Sequence, residues 1–262
     1  MVLLGLHGCN QVKRAACPPW WTKALPAGLL AAFAFSRKLV RNEPEGCSDW
    51  PGTAVRFRPD YAGSRALGGR GLAEDKKNAR RRKAWICFQD ESGFSLLPSV
   101  RATWAPRGKT PVLTHPFNWK RMSVSAVVGY APRGDDAWLV FGTRPGSYDE
   151  DSLVEFLGQL HGHLGGDKVT IIWDGLPSHR SKLMKAYVAS QRHWLVVERL
   201  PAYAPDLNPV ELLWGNLKGT ELANFCPATL DEAATAADAG LCRIGEDAQL
   251  CWAFLHHTGL PL

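Results

Sequence analysis

Two short apolar runs that each end on an acid set the pattern of this chain. Val169-Thr170-Ile171-Ile172-Trp173 is β-branched and almost unbroken, and it leads straight into Asp174. A run of that length without alternation predicts a strand buried on both faces. Gly175 and Pro177 stop it. Ala84-Trp85-Ile86-Cys87-Phe88-Gln89-Asp90 repeats the design, with Glu91-Ser92-Gly93 expected as its turn. Arg121–Tyr130 and Trp138–Gly142 predict two further strands, and Pro132-Arg133-Gly134-Asp135-Asp136 between them has the residues of a hairpin connection. Together with Thr103–Leu113, they are expected to form an antiparallel part of the sheet beside the Asp90 strand.

The period then changes to that of a helix. Between Asp149 and Leu164, apolar residues fall at positions 153, 156, 157, 160 and 164, with acids in the first turn where the helix dipole favours them. This segment feeds the Asp174 strand and reads as the crossover of a right-handed βαβ unit. Ser181–Gln191 predicts a second helix with Leu183, Met184, Tyr187 and Val188 inward, and Trp194–Val197 a last strand. Pro201 and Pro205 hold an extended loop up to Asn208, a natural N-cap, with Pro209 at the first helical position. That helix is expected to pass Leu213, Trp214, Leu217 and Lys218 towards Phe225, and an Ala-rich helix to run from Asp231 to His256. The fold class is α/β, a mixed sheet flanked by helices.

Charge divides the 262 residues unevenly. Residues 1–83 carry 16 Lys and Arg against 6 Asp and Glu, whereas residues 84–262 carry 15 against 19. Residues 1–71 lack a sustained period, although 22–42 has room for two helices. They are expected to be an atypical, disordered or frame-disrupted leader before a body at 72–262. Lys76, Lys77, Arg80, Arg81, Arg82 and Lys83 belong to a polar helix that opens that body. Such a cluster reads as a solvated face or as a phosphate contact for nucleic acid. Seven cysteines with no CxxC spacing exclude a zinc knuckle and a secreted disulfide framework, and point to the reducing cytoplasm. The apolar run Ala24–Phe35 is too short to span a bilayer, and Ser36-Arg37-Lys38 follows it instead of a signal cleavage site. No membrane role is expected.

The candidate chemistry lies in three acids. Neighbouring strands ending on Asp90 and Asp174 would bring two carboxylates close together, and Glu211, in the first turn of a helix after a rigid loop, can be aimed at the same place. Like carboxylates repel unless a hard cation neutralises them, and Mg²⁺ accepts carboxylate oxygens while keeping positions for phosphate. The competing readings are a cap or turn role for either Asp, a capping-box role for Glu211, an Asx turn at Asp206, and Glu91 in place of Asp90. His179 reads as a helix-start or surface residue, Lys218 as a phosphate contact on the Glu211 helix, and Trp104 and Trp119 as packing residues.

These motifs also resemble a known family. Asp90-Glu91-Ser92-Gly93, Thr103-Trp104-Ala105-Pro106-Arg107-Gly108, Trp173-Asp174-Gly175 with His179, and the block from Leu200 through Asn208-Pro209-Val210-Glu211 to Trp214 resemble mariner-like bacterial insertion-sequence transposases of the DDE superfamily. Thirty-six residues, 175–210, separate Asp174 from Glu211, within the short range typical of that group. The resemblance, over about residues 72–225, implies a ribonuclease H-like fold. It implies Asp90, Asp174 and Glu211 as a triad for Mg²⁺ or Mn²⁺, and cleavage and strand transfer of double-stranded DNA by a homodimer at element ends and target. Residues 1–70 do not resemble the helix-turn-helix region of such relatives. The expectation is therefore an N-terminally truncated transposase, with a catalytically idle DNA-binding remnant as the alternative.

Overall fold

The computed structural model describes residues 13–14, 74–115, 120–134, 136–201 and 204–260. The leader (Lys13–Arg14 excepted), its possible helices at 22–42, the apolar run Ala24–Phe35, and Trp119 lie outside the described residues.

The Asp90 run forms a strand longer than its apolar part. Arg121–Tyr130 (β3) pairs antiparallel with Ala84–Ser95 (β2) from Ile86 opposite Tyr130 to Ser95 opposite Arg121. Glu91-Ser92-Gly93 is therefore strand and not the expected turn, because the partner ladder continues past the acid. Ala137–Pro145 (β4) pairs antiparallel with β3, while Lys168–Trp173 (β5) is parallel to β2 and Leu195–Arg199 (β6) parallel to β5. Lys13–Arg14 (β1) adds two residues at the β4 edge, giving the order β1-β4-β3-β2-β5-β6. The sheet is mixed, as expected.

Thr103–Leu113 is not a strand. Pro106 and Pro111 lack the N–H that a ladder needs, and the segment runs over the surface, with Trp104 86% and Val112 85% exposed. Trp104 is thus not a packing residue. The segment is tethered at its base, where Ser99 bridges Ala223 and the Arg101 N–H donates to Asn224 Oδ1 at 2.8 Å.

Helices cover both faces. Residues 74–82 form α1, which leads into β2. Glu150–His163 (α2) connects the parallel strands β4 and β5 across β3 and β2. Asp149 and Ser152 close a capping box at its start, and Leu153, Phe156, Leu157 and Leu160 pack on Val169, Ile171 and Trp173. Each such fully buried side chain contributes about 1.5–3 kcal/mol. Lys182–Ser190 (α3) joins this layer, capped by Ser181. Its Met184 is buried, but Leu183 faces outward at 40% exposure. Pro209–Gly219 (α4), Leu230–Gly245 (α5) and Ala248–Thr258 (α6) form the other layer. Helix α4 ends at Gly219, short of Phe225. The Ala-rich helix is two helices, because Asp247 ends the run and caps α6 by accepting from the Leu250 N–H at 2.9 Å. Tyr130 ties this layer to the sheet by donating to the Cys251 carbonyl at 2.9 Å.

Candidate active site

The two acids that end the apolar runs lie at the same height. The parallel register pairs Phe88 with Ile172, so Asp90 and Asp174, each two residues further on, stand level where β5 ends at Trp173 while β2 runs on to Ser95. Neighbouring strands are about 4.8 Å apart. Carboxyl ends of parallel strands are where open α/β sheets place their sites.

Helix α4 lies against that end. Glu211, Trp214 and Lys218 recur at helical spacing along one side, and Asp90, Ser92 and Phe94 alternate along one face of β2. The two rows mesh. Trp214 Nε1 donates to Asp90 Oδ2 at 3.0 Å, and Lys218 Nζ donates to Ser92 Oγ at 2.8 Å. Phe94 meets Trp214 edge to face at 6.1 Å, and the Lys218 ammonium sits 5.4 Å from the Phe94 ring centre. Asn208 caps α4 through the Val210 N–H at 3.2 Å. Glu211 is exposed in the first turn, and its charge acts on Asp90.

The electrostatics of the acids differ. Asp90 is 8% exposed, and burial, then the charges of Glu211 and Glu91, push its carboxyl up to about 7 against the Trp214 hydrogen bond. Asp174 is half-buried. Burial raises its pKa, but His179, the Leu176 N–H at 3.0 Å and Arg180 outweigh that and hold it below the usual carboxylate range. His179 lies in a helical turn, Ser178–Arg180, and is buried, not the surface residue expected. Its Nδ1 is 2.9 Å from Asp174 Oδ1 and its Nε2 is 3.4 Å from Glu91 Oε1. Burial alone would lower its pKa; these two carboxylates raise it to about 9. The ring is stacked on Trp173 at 4.3 Å. Glu91, alternating with Asp90, faces the α2 side of the sheet, so it does not share the Asp90 face.

Asp90 and Glu211 are thus brought together, and Asp174 stands level with Asp90 along the strands, one oxygen turned towards His179. Among the described residues, no three His, Cys, Asp or Glu side chains are gathered closely enough to hold a metal ion. Lys218 reaches Ser92, two residues along β2 from Asp90. The cationic helix does not come near: α1 precedes the start of β2, and seven residues of strand put Lys83 roughly 20 Å from Asp90. Arg80 donates to the Pro132 carbonyl at 3.0 Å, and Arg82 reaches Thr170 and the Trp194 carbonyl, so both fasten α1 to the body. Lys77, Arg81 and Lys83 are exposed and Lys76 is half-buried. Trp214, three residues after Glu211, could have been identified from helical spacing. The Glu91–His179 contact spans 88 residues and had no local signal.

The sequence family described as DDE superfamily endonuclease matches residues 85–230, more than half of the chain and all three acids. The chain belongs to the DDE superfamily endonucleases. Membership makes it an endonuclease by family. None of the curated proteins matches this sequence. Among solved structures, the Mos1 strand transfer complex is similar at 14% identity and TM-score 0.53, over 87% of this chain and 66% of that one. The mariner Mos1 paired-end complexes with Mn and with Mg are similar at 16% identity, with TM-scores of 0.52 and 0.51. The chain spans about two thirds of the length of these relatives. At such identities the likeness establishes only the fold of this DDE endonuclease: a ribonuclease H-like mixed sheet flanked by helices. Among its described residues no helix is long and apolar enough to cross a membrane.

Proposed function

We propose that residues 72–262 are the catalytic part of a mariner-type DNA transposase that cleaves and rejoins strands at transposon ends, with Asp90, Asp174 and Glu211 as the divalent-metal ligands. The observation that carries this reading is the level pairing of Asp90 and Asp174 on adjacent parallel strands, with Glu211 acting on Asp90 from α4. The residues suit Mg²⁺ or Mn²⁺. All three are hard oxygen donors, and the Asp90 carboxyl, raised by burial and its acidic neighbours, marks negative charge that a cation would neutralise. When bound there, such an ion supplies Lewis-acid activation of the attacking oxygen and charge relief at the leaving one.

The chain's own residues provide the frame. Trp214 fixes one Asp90 oxygen, and α4 presents Glu211 on the same side. Lys218 extends the site along β2 with a positive charge suited to a phosphate of the bound strand. In the first reaction, water attacks a phosphodiester at the element end, the P–O bond to the 3′ oxygen breaks, and a 3′-hydroxyl is released. In the second, that hydroxyl attacks a target phosphodiester and displaces a new 3′-hydroxyl. The exposed cations of α1, Lys77, Arg81 and Lys83, sit at the far end of β2 and suit DNA flanking the cleaved position. The partners are double-stranded DNA and a second copy of the chain; in support, a similar structure is the Mos1 transposase paired-end complex with its left transposon end.

The test is nicking of supercoiled plasmid with Mg²⁺ or Mn²⁺ by the wild type, Asp174→Ala and Asp90→Asn. Nicking by the wild type alone is expected. Equal nicking by all three overturns the assignment.

A further inference from the structure

We infer that His179 is a positioning residue for Asp174: clamped between Asp174 and Glu91, it takes up Asp174 Oδ1 and leaves Oδ2 as the oxygen offered to a bound cation. The inference rests on the reading of Asp174 as a metal ligand and says how that ligand is held.

The contacts on the imidazole fix it completely. Its side chain is 0% exposed, and the ring lies 4° from parallel to Trp173 at 4.3 Å, which sets the ring plane. Within that plane, Nδ1 faces Asp174 Oδ1 at 2.9 Å, with the Asp174 carbonyl oxygen at 3.3 Å beside it, and Nε2 faces Glu91 Oε1 at 3.4 Å. Two carboxylate acceptors call for an N–H on each side of the ring. The turn that carries His179 is closed by its own backbone, with the His179 N–H donating to the Leu176 carbonyl at 3.1 Å and the Arg180 N–H to the Pro177 carbonyl at 3.1 Å.

Asp174 is restrained at the same time from a second direction. The Leu176 N–H donates to the same Oδ1 at 3.0 Å. The ion pair to His179 and this hydrogen bond both fall on Oδ1, and Oδ2 makes no hydrogen bond among the described residues. The clamp extends across the sheet: Gln89 Nε2 donates to Glu91 Oε1 and lies 3.0 Å from Ser125 Oγ, so Ser125, Gln89, Glu91 and His179 form one line of contacts from β3 to Asp174. Glu91 is then the anchor of His179 and not a fourth ligand. Groups of this kind, which orient a metal-binding carboxylate from behind, typically change metal affinity about 10- to 100-fold when removed.

The experiment is calorimetric titration of the full chain with Mn²⁺, paired with the electron paramagnetic resonance spectrum of the bound ion. It compares the wild type, Asp174→Ala, His179→Ala, His179→Asn and Glu91→Gln, each melted in EDTA to establish folding. Asn places an N–H near the Nδ1 position but cannot reach Glu91. The expected order of affinity is wild type, then His179→Asn, then His179→Ala, with the last weaker by about 10- to 100-fold and its spectrum altered. Where His179→Ala does not fold, His179→Asn and Glu91→Gln decide, and both should bind Mn²⁺ more weakly than the wild type. Folded His179 variants with wild-type affinity and spectrum overturn the inference while leaving Asp174 as a ligand. Undiminished binding by Asp174→Ala overturns the ligand assignment itself.

Discussion

The raised carboxyl of Asp90 makes a quantitative prediction about stability. Its folded value is about 7 against 3.8 for an unperturbed Asp. Over that interval the folded chain binds a proton that the unfolded chain has released. The stabilisation from this group is therefore fully present below about pH 3.8 and is lost as pH rises through about 7. Between pH 5 and pH 8, roughly two pH units of the interval are crossed, which at 1.36 kcal/mol per unit is about 2.7 kcal/mol. Asn at this position has nearly the same shape, can still accept from Trp214 and does not titrate. Urea unfolding in EDTA, followed by tryptophan fluorescence, should show Asp90→Asn gaining on the wild type by about 2–3 kcal/mol between pH 5 and pH 8. Comparing the two chains at each pH removes groups common to both. Adding Mg²⁺ at pH 8 should restore the wild type, by about 2.7 kcal/mol at a hundredfold excess over its dissociation constant, and leave Asp90→Asn unmoved. Parallel pH profiles, with the difference constant within about 0.5 kcal/mol, would refute the claim that Asp90 is strained by burial and by Glu211.

Three further outcomes follow from other contacts. His179, held at about 9 between two carboxylates, contributes stability that is complete below about pH 6.5 and is lost as pH rises through about 9; His179→Gln should flatten the unfolding free energy between pH 6 and pH 10, and an unchanged slope would contradict the clamp. Trp214→Phe keeps the ring against Phe94 but removes the N–H from a buried carboxylate, so it should cost about 1–3 kcal/mol in urea unfolding at pH 8 and less at pH 5. Gly129→Ala would place a Cβ 2.3 Å from two atoms of the Trp138 ring and should lower stability by about 1–3 kcal/mol through overpacking; a higher unfolding midpoint would mean that Trp138 moves aside freely.

What was legible in the sequence was what local period and chain punctuation decide. The strands that run into Asp90 and Asp174 and the start of α4 at Asn208-Pro209 depend on residues within a few positions of each other. The failures share a physical cause. The length of β2 was misread because Glu91-Ser92-Gly93 has turn residues locally, and only the ladder to β3 keeps it extended. Thr103–Leu113 was misread the other way, as a strand that finds no partner for its proline-broken backbone.

The acids followed the same division, and this bears on how Asp174 would serve the proposed site while one of its oxygens is turned towards His179. Period 2 along β2 sends Asp90 to the α4 layer and Glu91 to the α2 layer, so consecutive acids join opposite networks. Asp90 is met by Trp214 and by the charge of Glu211; Glu91 is met by His179. Asp174 is one residue beyond the end of β5, so it is outside the alternation that confines a strand residue to a single face. Its backbone register places it with Asp90, while one oxygen is drawn to the His179 side. An acid inside the strand would be confined to a single face. On the proposed reading, the position that would let Asp174 complete a carboxylate site with Asp90 is the same position that brings it to His179, and a shift of β5 by one residue would abolish both relations together.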